Sequence, residues 1–158
     1  MVTEISYKYV LNDFNSYSRA LLESVDENSC RTNLIRFKYF IDNNEIIKSI
    51  IKEATTGKEL ININDFLVLH PGGCFYKIYA PEDIGDHILA MYKFLELLCS
   101  NEEKYSINSL SVRLIPKTEA NLMQNFINRA FSPLFNYIKN ELEKGALKEE
   151  ENNKKTVV

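Results

Sequence analysis

A ladder of apolar residues toward the C-terminal end constrains this chain more than any other feature. Leu122, Phe126, Ala130, Leu134, Ile138 and Leu142 recur every fourth residue, with Met123, Ile127, Phe131 and Phe135 beside them. Steps of three and four keep side chains on one side of an α-helix, so the segment predicts a long helix with a wide apolar face. A face that wide needs burial against more than one neighbour. Thr118 is the expected cap. Pro133 lies inside the run. Proline lacks an amide hydrogen and clashes with the preceding turn, so a kink or break is expected between Arg129 and Ser132. Ser132-Pro133 could equally cap and begin a second helix.

Three earlier segments carry the same helical spacing. Leu11, Phe14, Tyr17, Leu21, Leu22 and Val25 form one stripe, Leu34, Phe37 and Ile41 a second, and Ile46, Ile47, Ile50 and Ile51 a third that ends at Gly57. The rhythm then changes. The β-branched and aromatic stretches ELININDFLVLH and CFYKIYA flank Pro71-Gly72-Gly73, which predicts two strands and a tight turn. After Pro81 a helix is expected with Ile84, Ile88, Tyr92, Leu95 and Cys99 on its buried face and acidic residues in its first turn. SLSVRLIP alternates and predicts a third strand, ended by Pro116. Residues 148–158, KEEENNKKTVV, are polar and aperiodic, so a disordered tail is expected after a single globular domain over residues 1–147. The fold class expected is α+β: four to six helices packed around a small, mostly antiparallel sheet of two to three strands.

At 158 residues the chain can fold as one domain without a metal or disulfide. Its net charge of −3 argues against a main job of gripping nucleic acid backbone, which calls for a basic excess. The three cysteines, Cys30, Cys74 and Cys99, form no C-x-x-C pair. Reduced thiols in a cytoplasmic protein are therefore expected, with no structural metal and no cofactor. The opening MVTEISYKYV has no basic segment followed by an apolar one, so no signal peptide is expected. No apolar run approaches a membrane span.

The segment HPGGCFYKIYAPEDIGDH holds both histidines of the chain. Asp83 and His87 stand one helical turn apart, so with Asp86 and His70 they make a candidate catalytic set that could share a proton or hold a divalent metal. The competing reading has Asp83 capping a helix with His87 at its surface. His70 and Cys74 could form a base and nucleophile across the turn. However, only Lys77 nearby is positive, and a reactive thiolate needs more than that. The turn lacks the glycine spacing of a nucleotide loop. Arg31, Arg36 and Lys38 alternate with Phe37, Tyr39 and Phe40, a pattern that can grip single-stranded nucleic acid or simply clothe an amphipathic helix. No arginine precedes a histidine by five positions, which removes the R-x-x-x-x-H pattern of HEPN nucleases. Arg113 could meet an anion, or face water from an edge strand.

The wide face of the last helix is either core or an interaction surface. In the second case Phe126, Arg129, Phe131, Phe135 and Tyr137 are the candidate contacts. YAPEDIGDHILAMYKFLELL followed by NLMQNFINRAFSPLFNYIKNEL resembles the C-terminal half of small bacterial domains encoded beside phage-defence and restriction genes. The likeness covers about a third of the chain, and the matching residues are Asp83, Tyr92, Leu95, Asn128, Arg129, Pro133, Tyr137 and Ile138. The resemblance implies a partner or regulatory module in bacterial immunity. The expected function is thus a non-enzymatic interaction or assembly module that binds a protein partner or itself. A small metal-dependent hydrolase or nuclease and a single-stranded nucleic-acid binder are the alternatives.

Overall fold

Every helix begins on a serine, aspartate or asparagine whose side chain reaches back to satisfy an amide of the first turn. In the computed structural model, which describes residues 6–59, 61–100 and 105–156, seven helices and two short strands follow from these starts. Ser6 opens α1 (Tyr7–Leu22), Asp26 opens α2 (Glu27–Asn43), and Asn44 opens α3 (Glu45–Thr55). Asn62 opens the single turn α4 (Ile63–Phe66), which leads into β1 (Leu67–Leu69) and its antiparallel partner β2 (Tyr76–Ile78). Asp83 opens α5 (Ile84–Cys99) and Ser106 opens α6 (Ile107–Arg113). The last helix, α7 (Leu122–Thr156), starts where Gln124 N–H donates to Asn121 Oδ1 at 3.0 Å. Such caps answer the orphan amides of a helix start and fix where each helix begins.

The described residues are helix-dominated, with one two-stranded antiparallel sheet among them. In that hairpin Leu67 pairs with Ile78 and Leu69 with Tyr76. Gly73 N–H donates to His70 carbonyl oxygen at 3.0 Å, and Gly72 has φ +108°, a conformation suited to glycine at the turn's third position. α1 lies along α7 and α2, while α5 sits between α2, α3 and α7. A file of rings crosses the interior. Phe14 meets Phe37 at 5.8 Å, Phe37 meets Phe135 at 4.9 Å, Phe135 meets Phe131 at 6.3 Å, Phe131 meets Phe94 at 5.6 Å, and Phe94 meets Phe66 at 5.9 Å. These contacts tie the first helix to α4, which leads into the hairpin, through one continuous core.

Several expectations are corrected. The expected third strand is α6: Ser106 accepts the Ser109 amide, and Ile107, Leu110, Ser111 and Leu114 are buried at helical spacing while Val112 is exposed. All that remains of strand character there is an isolated bridge from Leu114 to Tyr76. The first expected strand shortens to Leu67–Leu69, because Asn62 caps a helical turn ahead of it. Ile84 is exposed rather than on the buried face of α5, which carries Ile88, Met91, Leu95 and Leu98. Asn121, not Thr118, starts α7; Thr118 donates to Asn125 Oδ1 instead. Pro133 does not break α7. The donor it lacks would have served the Arg129 carbonyl, on a side of the helix where Pro133 itself is exposed. Of the expected disordered tail, residues 148–156 continue α7 as helix and residues 157–158 lie outside the described residues. The signal-peptide expectation rests on MVTEISYKYV, of which residues 1–5 lie outside the described residues and Tyr7–Val10 belong to α1. Among the described residues, no helix is long and apolar enough to cross a membrane.

Candidate functional site

Of the candidate catalytic set, Asp83, Asp86 and His87 lie at the start of α5 and His70 lies beside the hairpin turn. Asp83 accepts the Asp86 amide at 3.0 Å and pairs with Lys58 at 2.9 Å, and these two partners, Lys58 foremost, hold its carboxyl below the usual range. His87, half-buried one turn later, lies 6.1 Å from the Phe66 ring, and burial lowers its pKa. Asp86 sits in the first turn of α5. His70 follows β1, with Nδ1 3.2 Å from the Pro71 carbonyl oxygen. Among the described residues no group of three His, Cys, Asp or Glu side chains could hold a metal ion. Cys74 is exposed, and its thiol turns back to the Gly72 carbonyl at 3.7 Å rather than to His70.

Arg113 has a positioning role. From the end of α6 it donates to the carbonyls of Gly73 at 2.8 Å and Cys74 at 3.0 Å, and its guanidinium lies 4.6 Å from the centre of the Tyr76 ring. It pins the hairpin turn to α6.

The basic residues of α2 do not form one stripe. Arg31 points toward α5 and donates to the Leu98 carbonyl at 3.5 Å, and Lys38 pairs with Asp42 at 2.5 Å. Arg36 is exposed on another side, since five residues from Arg31 is about 140° around the helix.

The candidate interaction surface on α7 splits. Phe126 and Phe131 are 0% exposed and Phe135 is 4% exposed, so their apolar face is filled by this chain's own rings. Tyr137 is half-buried, and burial raises its pKa. Arg129 is partly exposed, and its Nε is buried without a hydrogen-bond partner.

Another polar centre does form. Asp42, at the end of α2, takes the Lys38 ammonium on Oδ2 and the Tyr92 hydroxyl on Oδ1 at 2.6 Å. Burial first, and the Asp42 carboxylate second, push the Tyr92 pKa up. Asp42 also raises the Lys38 pKa. With both carboxylate oxygens engaged, the cluster is built to lock α2 to α5 rather than to accept a substrate proton. Asp42 lies on the wall of two open grooves. One, of about 660 Å³, runs past Tyr92, Lys48 and Thr55; the other, of about 500 Å³, runs past Ile35, Lys38, Tyr39, Glu96 and Cys99. Burial pushes the Cys99 thiol up to about 11, so it is not a poised nucleophile. The Lys38–Asp42 pair is legible from its four-residue spacing, whereas the Tyr92 partner, fifty positions away, is not.

Comparison with protein-family models, with curated proteins and with solved structures gave no match.

Proposed function

We propose that this chain is a non-enzymatic protein-interaction and assembly module. One observation carries the reading: Ile35 and Tyr39, one turn apart on α2, are 49% and 71% exposed and line the same groove beside α5. Isolated apolar residues on a surface need no explanation, but a neighbouring pair over a groove is what interfaces use, and tyrosine is among their preferred anchors. The groove carries Lys38 close to Asp42 and Glu96, so both signs of charge sit beside the apolar pair. Such a face is complementary to itself across a two-fold axis, which makes a second copy of the chain its simplest occupant. We further propose, on the resemblance in the sequence around Asp83, Tyr92, Asn128, Arg129 and Pro133 alone, a role as a component or regulator of a phage-defence system.

Light scattering across a concentration series tests the reading. A dimer is expected, converted to monomer by Tyr39→Glu with the melting temperature unchanged. A monomer at every concentration, together with no complex on co-expression with the products of neighbouring genes, overturns it.

A further inference from the structure

The last turns of α7 extend past the core. Leu142 is its final fully buried residue, and after it the helix continues to Thr156 with mostly exposed side chains. Leu147 is 60% exposed in this stretch. It opens onto a groove of about 620 Å³ between α1 and α7, which Leu11 and Ala146 also line. The volume falls in the range of small binding clefts.

The rim of this groove has a sign. Glu143 and Glu150 line it with Leu147 between them, and at 100° per residue the three fall within about 60° of one another on the helix. α7 thus shows an acid–apolar–acid stripe along its axis. Both glutamates are exposed, and no ion pair among the described residues engages either of them. Opposite them, α1 contributes Lys8.

We infer that this groove docks a basic amphipathic helix of a protein partner. An apolar side chain of the incoming helix would seat on Leu11, Ala146 and Leu147. Lysines or arginines one turn to either side would meet Glu143 and Glu150. This rests on the reading of the chain as an interaction module and names the chemistry of its partner; it uses a face separate from Ile35 and Tyr39.

The test uses the full chain and a labelled helical peptide of about four turns. The peptide carries leucines at helical spacing flanked by lysines, and a control peptide has glutamate in place of each lysine. Fluorescence anisotropy is expected to show binding of the basic peptide that weakens as salt is raised, and little binding of the acidic one. Leu147→Ser should weaken binding about tenfold. Glu143→Lys with Glu150→Lys should reverse the preference toward the acidic peptide. Each variant is checked for an unchanged melting temperature. Equal binding of both peptides, or binding indifferent to the Leu147 and glutamate substitutions, overturns the inference. So does a dimer that Leu147→Ser dissolves, because the groove would then belong to a second copy. Tyr39→Glu should leave peptide binding intact, so failure of the groove and failure of the α2 face are read separately.

Discussion

The Glu149 carboxylate accepts the backbone amide of Tyr7, with both oxygens 3.1 Å from the nitrogen, and also receives the Ser6 hydroxyl at 3.3 Å. A negative charge at a helix start is favourable on two counts: it meets an orphan amide and the positive end of the helix dipole. The end of α7 thereby anchors the beginning of α1.

Glu149→Ala should therefore destabilise the chain by about 1 kcal/mol, the usual cost of losing a cap. Hydrogen exchange should locate the damage in the first turn of α1, with the core amides unaffected. Glu149→Gln, which keeps an acceptor but not the charge, should lose less.

Gly145 of α7 lies against Tyr7 of α1, and a Cβ there would overlap the Tyr7 ring. In an exposed helix interior, Gly→Ala gains about 1 kcal/mol. Here the sign is expected to invert. Gly145→Ala should lower the melting temperature, and adding Tyr7→Ala should recover much of the loss, a coupling that a double-mutant cycle reads directly.

Tyr92→Phe removes the hydroxyl that donates to Asp42 and should cost about 1–2 kcal/mol at neutral pH. The folded chain holds the Tyr92 proton more tightly than the unfolded chain, whose value lies near 10.0. That contribution is fully present below pH 10 and is lost as pH rises through the folded value. Chemical denaturation in alkaline buffers should show stability falling less steeply for Tyr92→Phe than for the parent chain.

The thiols should react in a fixed order with an alkylating reagent. Cys74 is exposed and should be modified first, in the native state. Cys99 is partly covered, with its thiol pushed up to about 11 by burial, and should follow slowly. Cys30 is buried and pushed up to about 12, so it should react only as the chain unfolds. Mass mapping of timed samples checks the order.

Much of the fold was legible because its signals are local. The steps of three and four in α1, α2, α3 and α7, the hairpin turn at Pro71-Gly72-Gly73 and the Asp83 start of α5 all lie within a few residues of the structure they specify. The misreadings arose where a cap overrode an apolar pattern or where distant contacts decide. Leu110, Val112 and Leu114 fit a period of two, but the Ser106 cap and packing against α7 make α6 a helix. Residues 148–156 carry no apolar rhythm, and part of what engages them is the Tyr7 amide at the far end of the chain. The candidate sites divide in the same way. Periodicity exposed the apolar face of Phe126, Phe131 and Phe135 without saying what covers it. The Asp42–Tyr92 bond joins residues that no spacing rule connects.

The clasp between α1 and α7 also governs the order of assembly. Synthesis delivers α1 first, yet Glu149 follows Tyr7 by 142 residues. Until α7 leaves the ribosome, Val10, Phe14 and Leu21 lack much of their cover. The nascent chain must carry that greasy strip until α7 emerges, so native closure waits on this last helix and holdase chaperones have an interval in which to bind.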